Sequence, residues 1–196
     1  MRILSFEGLD KSGKYSASVF LETYLKERGY SVARSEFHRY DTPTGELIMK
    51  WLKKEWEVDQ KTIELIMAAD KQAQQAWFKE LDEAGTDFLI LDRYTTSQEA
   101  YALANGLPIY WIHALQQYMR FPDIEILIDI PAEVSMARKG KHNNGENDRY
   151  ESDLDLLTKV RSIYLQNSGI QIDGTKSLEE VHKDIVSALV EYDIIK

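Results

Sequence analysis

The sequence predicts a three-layer α/β/α domain built on a five-stranded parallel sheet. Strand-like segments at about 2–6, 31–36, 87–91, 124–129 and 169–173 alternate with helical patterns, an order that packs helices on both faces of a sheet. Phe88-Leu89-Ile90-Leu91 and Ile126-Leu127-Ile128 are unbroken apolar runs, as suits strands buried on both faces. A glycine-rich segment then joins the first strand to the first helix, where such sheets place an anion-binding turn.

The elements follow in order. Ile3-Leu4-Ser5-Phe6 is the first strand, and Val19, Phe20, Tyr24 and Leu25 give one face of a helix over about 14–28. After the second strand come helical patterns near 44–54 and 60–84. The longer one carries Ile63, Ile66, Met67, Ala73 and Trp77, more apolar residues than one narrow core stripe requires. The third strand leads to helices near 95–104 and 109–119, and the fourth to one near 132–139. Residues 139–148 contain no apolar side chain and read as a surface loop. A helix near 151–166 precedes the fifth strand, and Ser177-Leu178-Glu179-Glu180 is a capping box opening the last helix, 178–191. Trp51, Trp56, Trp77 and Trp111 read as core packing. No repeat or linker divides the chain, so residues 1–196 are expected to form one domain.

Composition narrows the function classes. The net charge is −9 and the cations are dispersed, which argues against a general nucleic-acid binder. With no cysteine, disulfides, zinc thiolates and thiol nucleophiles are excluded, and a cytoplasmic setting is expected. No apolar run of the roughly 18 residues a membrane helix needs is present, and the first residues lack the pattern of a signal peptide. The histidines show no metal-ligand spacing, and no Ser-His-Asp order stands out.

Residues 6–14, Phe-Glu-Gly-Leu-Asp-Lys-Ser-Gly-Lys, are the most informative segment. Gly8 and Gly13 let backbone N–H groups turn inward, Lys14 can reach outer phosphates, and the helix N-terminus adds partial positive charge. The pattern G-x-x-x-x-G-K-[S/T] fails at its last place, which holds Tyr15, with Ser16 one residue late. That hydroxyl normally meets magnesium. The other polar clusters also follow strand ends: Phe37-His38-Arg39-Tyr40, Asp92-Arg93-Tyr94, Pro131 with Glu133, and Gly174-Thr175. Asp92 can stand near magnesium and Arg93 can clamp a second phosphate bidentately. Arg138, Lys139, Lys141 and Arg149 flank the polar loop and suggest a lid over about 138–150. Phe37, Tyr94, Tyr101 and Tyr150 are rim aromatics suited to a base.

Taken together, these blocks resemble the thymidylate kinase family, nucleoside monophosphate kinases of the P-loop fold that make dTDP from dTMP and ATP. The matching residues are 6–14, Phe37 with Thr44-Gly45, Ala68-Ala69-Asp70, Asp92-Arg93-Tyr94 with Ser97 and Ala100-Tyr101, Pro122-Asp123, Asp148-Arg149-Tyr150-Glu151 and Ile172-Asp173-Gly174-Thr175-Lys176-Ser177. The resemblance implies an ATP site at Gly8, Ser12, Gly13, Lys14 and Ser16, with Arg138 stacking on adenine and Asp173, Gly174 and Thr175 closing that pocket. It implies that Lys11 bridges donor and acceptor phosphates, that Asp10 binds the acceptor's 3′-hydroxyl, and that Tyr101 packs on the deoxyribose. The implied acceptor site adds Phe37, Arg39, Tyr40, Met67, Lys71, Arg93, Ser97, Arg149 and Tyr150. Magnesium would be held by Asp92 through water, with Ser16 as a second candidate. A homodimer paired through helices on one face of the sheet is also implied.

Four positions depart from the family pattern. Tyr15 replaces the loop Ser/Thr. Met67 stands where a phenylalanine stacks on thymine, and Lys71 where an arginine reads the thymine carbonyl edge. Arg39 lies one residue before the family's arginine, whose place Tyr40 takes. The expected acceptor is therefore dTMP or a related or 5-modified deoxyuridine monophosphate. Two alternatives stay open: a deoxynucleoside kinase of the same fold using Glu7 as base, and a non-catalytic nucleotide-binding protein, motivated by Tyr15.

Overall fold

The computed structural model describes residues 1–138, 148–167 and 169–196. The chain runs β1 (Arg2–Glu7), α1 (Lys14–Glu27), β2 (Val32–Glu36), α2 (Pro43–Leu52), α3 (Gln60–Gln72), α4 (Gln75–Glu83), β3 (Phe88–Asp92), α5 (Thr95–Ala104) and α6 (Ile109–Gln116). It continues with β4 (Ile124–Asp129), α7 (Ala132–Ala137), α8 (Leu154–Asn167), β5 (Ile170–Asp173) and α9 (Leu178–Glu191). The strands form one parallel sheet in the order β2-β3-β1-β4-β5, as the alternating pattern requires.

The period of two along each strand sorts the core into two faces. Leu4, Phe6, Phe88, Ile90, Ile126 and Ile128 pack against Leu21 and Leu25 of α1 and Ile185 and Leu189 of α9. Their neighbours point the other way: Ile3, Leu89 and Leu91 meet Ala68 and Phe78, and Leu127 meets Ile63, Leu157 and Val160. Burial on both sides is why these strands carry no polar alternation.

Local chemistry sets the helix ends. Thr42 accepts from the Gly45 amide at 3.1 Å, with Pro43 in the first turn of α2. Asp59 caps α3 through the Thr62 amide at 2.7 Å, and the capping box of Ser177 and Glu180 opens α9. The continuous helix expected over 60–84 is instead two helices. The Lys71 carbonyl accepts from the Gln74 amide at 3.2 Å and from the Gln75 side-chain amide at 3.0 Å. A side chain thus occupies the ladder between α3 and α4, and such insertions break a helix. No described helix is long and apolar enough to cross a membrane.

Because β1 lies between β3 and β4, the crossovers leave it in both directions and open a crevice beyond the carboxyl ends of these strands. The segments after β1, β2, β3 and β5 all end at that rim.

Candidate active site

The turn after β1 is built on two glycines with left-handed backbones, Gly8 at φ 138° and Gly13 at φ 105°. At Gly8 a Cβ would stand 2.5 Å from the Ile128 carbonyl oxygen, so the loop closes on β4 only without a side chain. Gly13 is the N-cap of α1, which directs that helix's free N–H groups at the loop. Lys14 follows and is buried, its Nζ donating to the Leu9 carbonyl at 2.7 Å and to Ser12 Oγ at 3.5 Å. Burial first, then the neighbouring Arg93 charge, push its ammonium down to about 8, against the pull of Asp92, Asp10 and Glu7. Lys11 has a left-handed backbone, φ 63°, and pairs with Glu151 at 3.5 Å.

Arg138 spans the donor side. Its guanidinium donates to the Lys11 carbonyl at 3.0 Å and to the Gly174 carbonyl at 3.1 Å, joining the loop to the turn after β5. In that turn Asp173 accepts from the Thr175 amide at 2.9 Å and hydroxyl at 2.6 Å. A side chain at Gly174 would stand 2.7 Å from the Ile128 methyl.

Arg93 organises the acceptor side. It follows β3 directly with φ 65°, uncommon for a residue with a side chain, and its amide is fixed to the Phe6 carbonyl at 2.9 Å. The guanidinium donates to Asp10 at 2.6 Å, Ser97 Oγ at 3.1 Å and Tyr164 OH at 3.3 Å. Tyr101 OH donates to the other Asp10 oxygen at 3.0 Å. Burial raises the Asp10 carboxyl, but Arg93 and Lys14 outweigh it and hold the group at about 2. Ser97 also bonds Glu7, which burial raises to about 7. Glu7 is fully buried, with one oxygen unpartnered.

Two cavities meet at Arg93 and Asp10. The larger, about 780 Å³, runs along the loop past Lys11, Lys14, Ser16, Asp92 and Arg138. The smaller holds Phe37, His38, Tyr40, Met67 and Lys71 against Ser97, Tyr101 and Tyr150. The expected donor and acceptor residues are thus largely brought together. Tyr15 lies at the rim of the larger cavity, its ring 44% exposed and 5.4 Å from the Arg34 guanidinium on the edge strand. Two acceptor residues expected from the sequence face elsewhere. Arg39 makes a two-pronged pair with Asp41 and reaches Gln74 at 3.4 Å. Arg149 bonds Glu57 at 2.6 Å and the Trp51 carbonyl at 3.1 Å, over the Trp51 ring. Lys139 and Lys141, with most of the expected lid, lie outside the described residues.

The polar lining residues His38, Gln98 and Asp148 were not singled out as site residues from the sequence. Gln98 donates to both the backbone and the carboxylate of Glu64, at 2.9 and 3.0 Å. Asp148 accepts the Tyr150 and Glu151 amides at 2.9 Å, and burial together with Asp10 raises it to about 7. Asp70 clasps the loop after β2, accepting from the Arg39 amide at 3.1 Å, Thr42 Oγ1 at 3.1 Å and Thr44 Oγ1 at 2.8 Å. Of these, His38 stood in a polar cluster after a strand and Asp70 and Asp148 in blocks that match the family, while Gln98 carried no sequence signal.

Comparison with known proteins agrees with this geometry. The family model described as thymidylate kinase matches residues 6–185. A protein named probable thymidylate kinase from Pyrococcus abyssi is 32% identical, covering 96% of this chain and 95% of its own length. The thymidylate kinase of Plasmodium falciparum is 28% identical over 98% of this chain and 91% of its own. The solved thymidylate kinase of Candida albicans shares the fold with a TM-score of 0.84 at 24% identity, covering 98% of this chain and 92% of that one.

Proposed function

We infer the reaction from one premise: the chain belongs to the thymidylate kinase family. It transfers a phosphoryl group from ATP to dTMP, giving dTDP, and the convergence of the Lys14 and Arg93 charges on Asp10 supports that reading most directly. The acceptor is a phosphate monoester with a second pKa near about 6, so it arrives largely dianionic and attacks without a base. The obstacle is bringing two polyanions into line. Positioning and cationic screening meet it. Lys14 serves the donor phosphates from the loop, Arg93 turns its fork toward the acceptor phosphate, and Lys11 stands between them. Asp10 and Tyr101 hold the deoxyribose side, and Phe37, Met67 and Lys71 the base.

Magnesium fits this set on its donor side. Asp92 is nearly buried at the cavity wall, and its carboxylate accepts no hydrogen bond from a described residue. Ser16 lines the same cavity. Asp92 through water, with Ser16, would hold the ion, which neutralises charge on the outer phosphates when bound. With a phenol at Tyr15 in place of the short Ser/Thr side chain, the loop lacks the usual direct hydroxyl at that position. Tyr15→Thr is expected to lower the magnesium concentration for half-maximal rate several-fold without reducing kcat. An unchanged magnesium dependence would make Tyr15 a packing residue only.

A nucleoside kinase would need a base, and Glu7 cannot serve. It is fully buried, lines neither cavity, and accepts from the Ser97 hydroxyl. A coupled ADP-release assay over nucleosides and monophosphates tests the reading. Turnover of dTMP is expected, and turnover confined to nucleosides would refute it.

We also propose a homodimer through the helices of one face. Leu65 on α3 is 49% exposed and Tyr110 on α6 is 75% exposed, while Ile63 and Met67 on α3 are buried within the chain. Light scattering at micromolar concentration should give twice the chain mass of 22.7 kDa. The monomer mass would reject it.

A further inference from the structure

The acceptor cavity holds two polar side chains whose hydrogen-bonding capacity the protein leaves open. Lys71 is buried, 1% exposed, and an ammonium has three donors. Its one bond to a described residue is a long one, 3.4 Å to the Met67 carbonyl. Leaving charged donors unmatched in a buried place is costly, so a ligand acceptor belongs there. His38 stands in the same wall, 3.2 Å from Asp70 through Nδ1, with its side chain 14% exposed. Asp70 already accepts an amide and two hydroxyls, the pattern of an ionised carboxylate. Nδ1 therefore carries the proton and donates, and the other ring nitrogen, Nε2, is an acceptor with no bond to a described residue. The adjoining Lys71 charge, after burial, keeps this imidazole neutral.

A cavity offering one strong donor and one acceptor selects a ligand edge with the reverse pair. With Lys71 at the place from which the family reads the base carbonyl, we propose that His38 is a second specificity-determining residue for the acceptor base, its Nε2 accepting a proton from the base while Lys71 donates to the 4-oxo group. This rests on the monophosphate-kinase reading above. The proton comes from the ring N3–H, which 4-oxo pyrimidines carry and cytosine lacks, or from a hydroxyl on a 5-substituent. Cytosine presents an amino group to Lys71 and a lone pair to His38, and both contacts fail. A site built to hydrogen-bond a group discriminates strongly against analogues lacking it. Met67, flexible beside them, lets the base settle on the pair.

The test measures kcat/KM for dTMP, 5-hydroxymethyl-dUMP and dCMP in the wild type and in His38→Leu, His38→Gln and Lys71→Met. Melting temperatures confirm that each variant is folded. Wild type is expected to disfavour dCMP by at least about 100-fold. His38→Leu should shrink that ratio by at least about tenfold. His38→Gln, which keeps an acceptor at similar reach, should restore much of it. Loss shared by dTMP and 5-hydroxymethyl-dUMP in His38→Leu assigns the proton to N3–H. Loss confined to 5-hydroxymethyl-dUMP assigns it to the 5-hydroxyl. Lys71→Met should cost the 4-oxo nucleotides more than dCMP. If the variants slow all three substrates equally, or leave the ratios unchanged, while wild type still phosphorylates dTMP, the base-reading pair is wrong and the kinase reading stands. If wild type phosphorylates no monophosphate, both fall together.

Discussion

Lys14→Met is expected to lower kcat by roughly 10²–10³-fold, the scale for losing one preorganised charge donor in a transition state. The folded protein should at the same time become more stable. Lys14 is buried beside Arg93, and both desolvation and like charge oppose its ammonium, which is pushed down to about 8. The folded state thus binds this proton less well than the unfolded chain does. Below about pH 8 both states are protonated and the penalty on folding is fully present. Between about 8 and the unfolded value of 10.5 the unfolded chain holds more protons, so wild-type stability should rise toward that of the variant. Methionine keeps the chain length and fills the space, which avoids the cavity alanine would leave. Thermal melts at pH 7 and pH 10 measure the gap. A lower melting temperature at pH 7 would show that Lys14 supports the fold, and near-normal kcat/KM would sink its role at the donor phosphates.

The legible parts of this molecule were those that depend on short-range order. Gly8, Gly13 and Lys14 lie within one turn and need only their spacing to announce an anion site. Asp92-Arg93 ends an apolar run, and in a parallel sheet every strand end falls on one rim, so its place could be read without knowing the partner strands. What stayed hidden depends on where long side chains turn. Arg39 and Arg149 lie in motifs expected to face the acceptor, yet nearer carboxylates, Asp41 and Glu57, hold them outside the cavity. The break between α3 and α4 follows from the Gln75 side chain reaching Tyr94 OH at 2.8 Å, nineteen positions away in sequence, which no helical period encodes. The pairing of His38 with Asp70, 32 positions apart, is of the same kind. Glu7 sits in the phosphate-loop segment and looks available as a base, and only the sheet's packing shows that Ser97 and Tyr164 cover it.

Arg93→Ala is expected to raise the KM for dTMP and lower kcat/KM by roughly 10²–10³-fold while leaving the KM for ATP near wild type. That split distinguishes it from Lys14→Met, whose loss should appear in use of the donor. The fork of Arg93 satisfies Asp10, Ser97 and Tyr164 at once, and a strained left-handed backbone at the strand end aims it. Three consequences follow from its removal. The acceptor phosphate loses its bidentate partner. Asp10 loses the main charge opposing its burial, so its carboxyl should climb from about 2 toward or above the ordinary range. Ser97 and Tyr164 are left with each other at 2.8 Å and with Glu7, which keeps that corner folded. Arg93→Lys restores the charge but not the planar fork, so kcat/KM should recover only in part. The acid side gives a second readout. A depressed Asp10 stabilises the wild type above the unfolded value of 3.8, and that stabilisation is lost as pH falls toward 2. In Arg93→Ala this loss should be smaller, and the two proteins should converge in stability at acid pH. Equal KM values for dTMP in wild type and Arg93→Ala would remove the guanidinium from the acceptor site, whatever the stability measurements show.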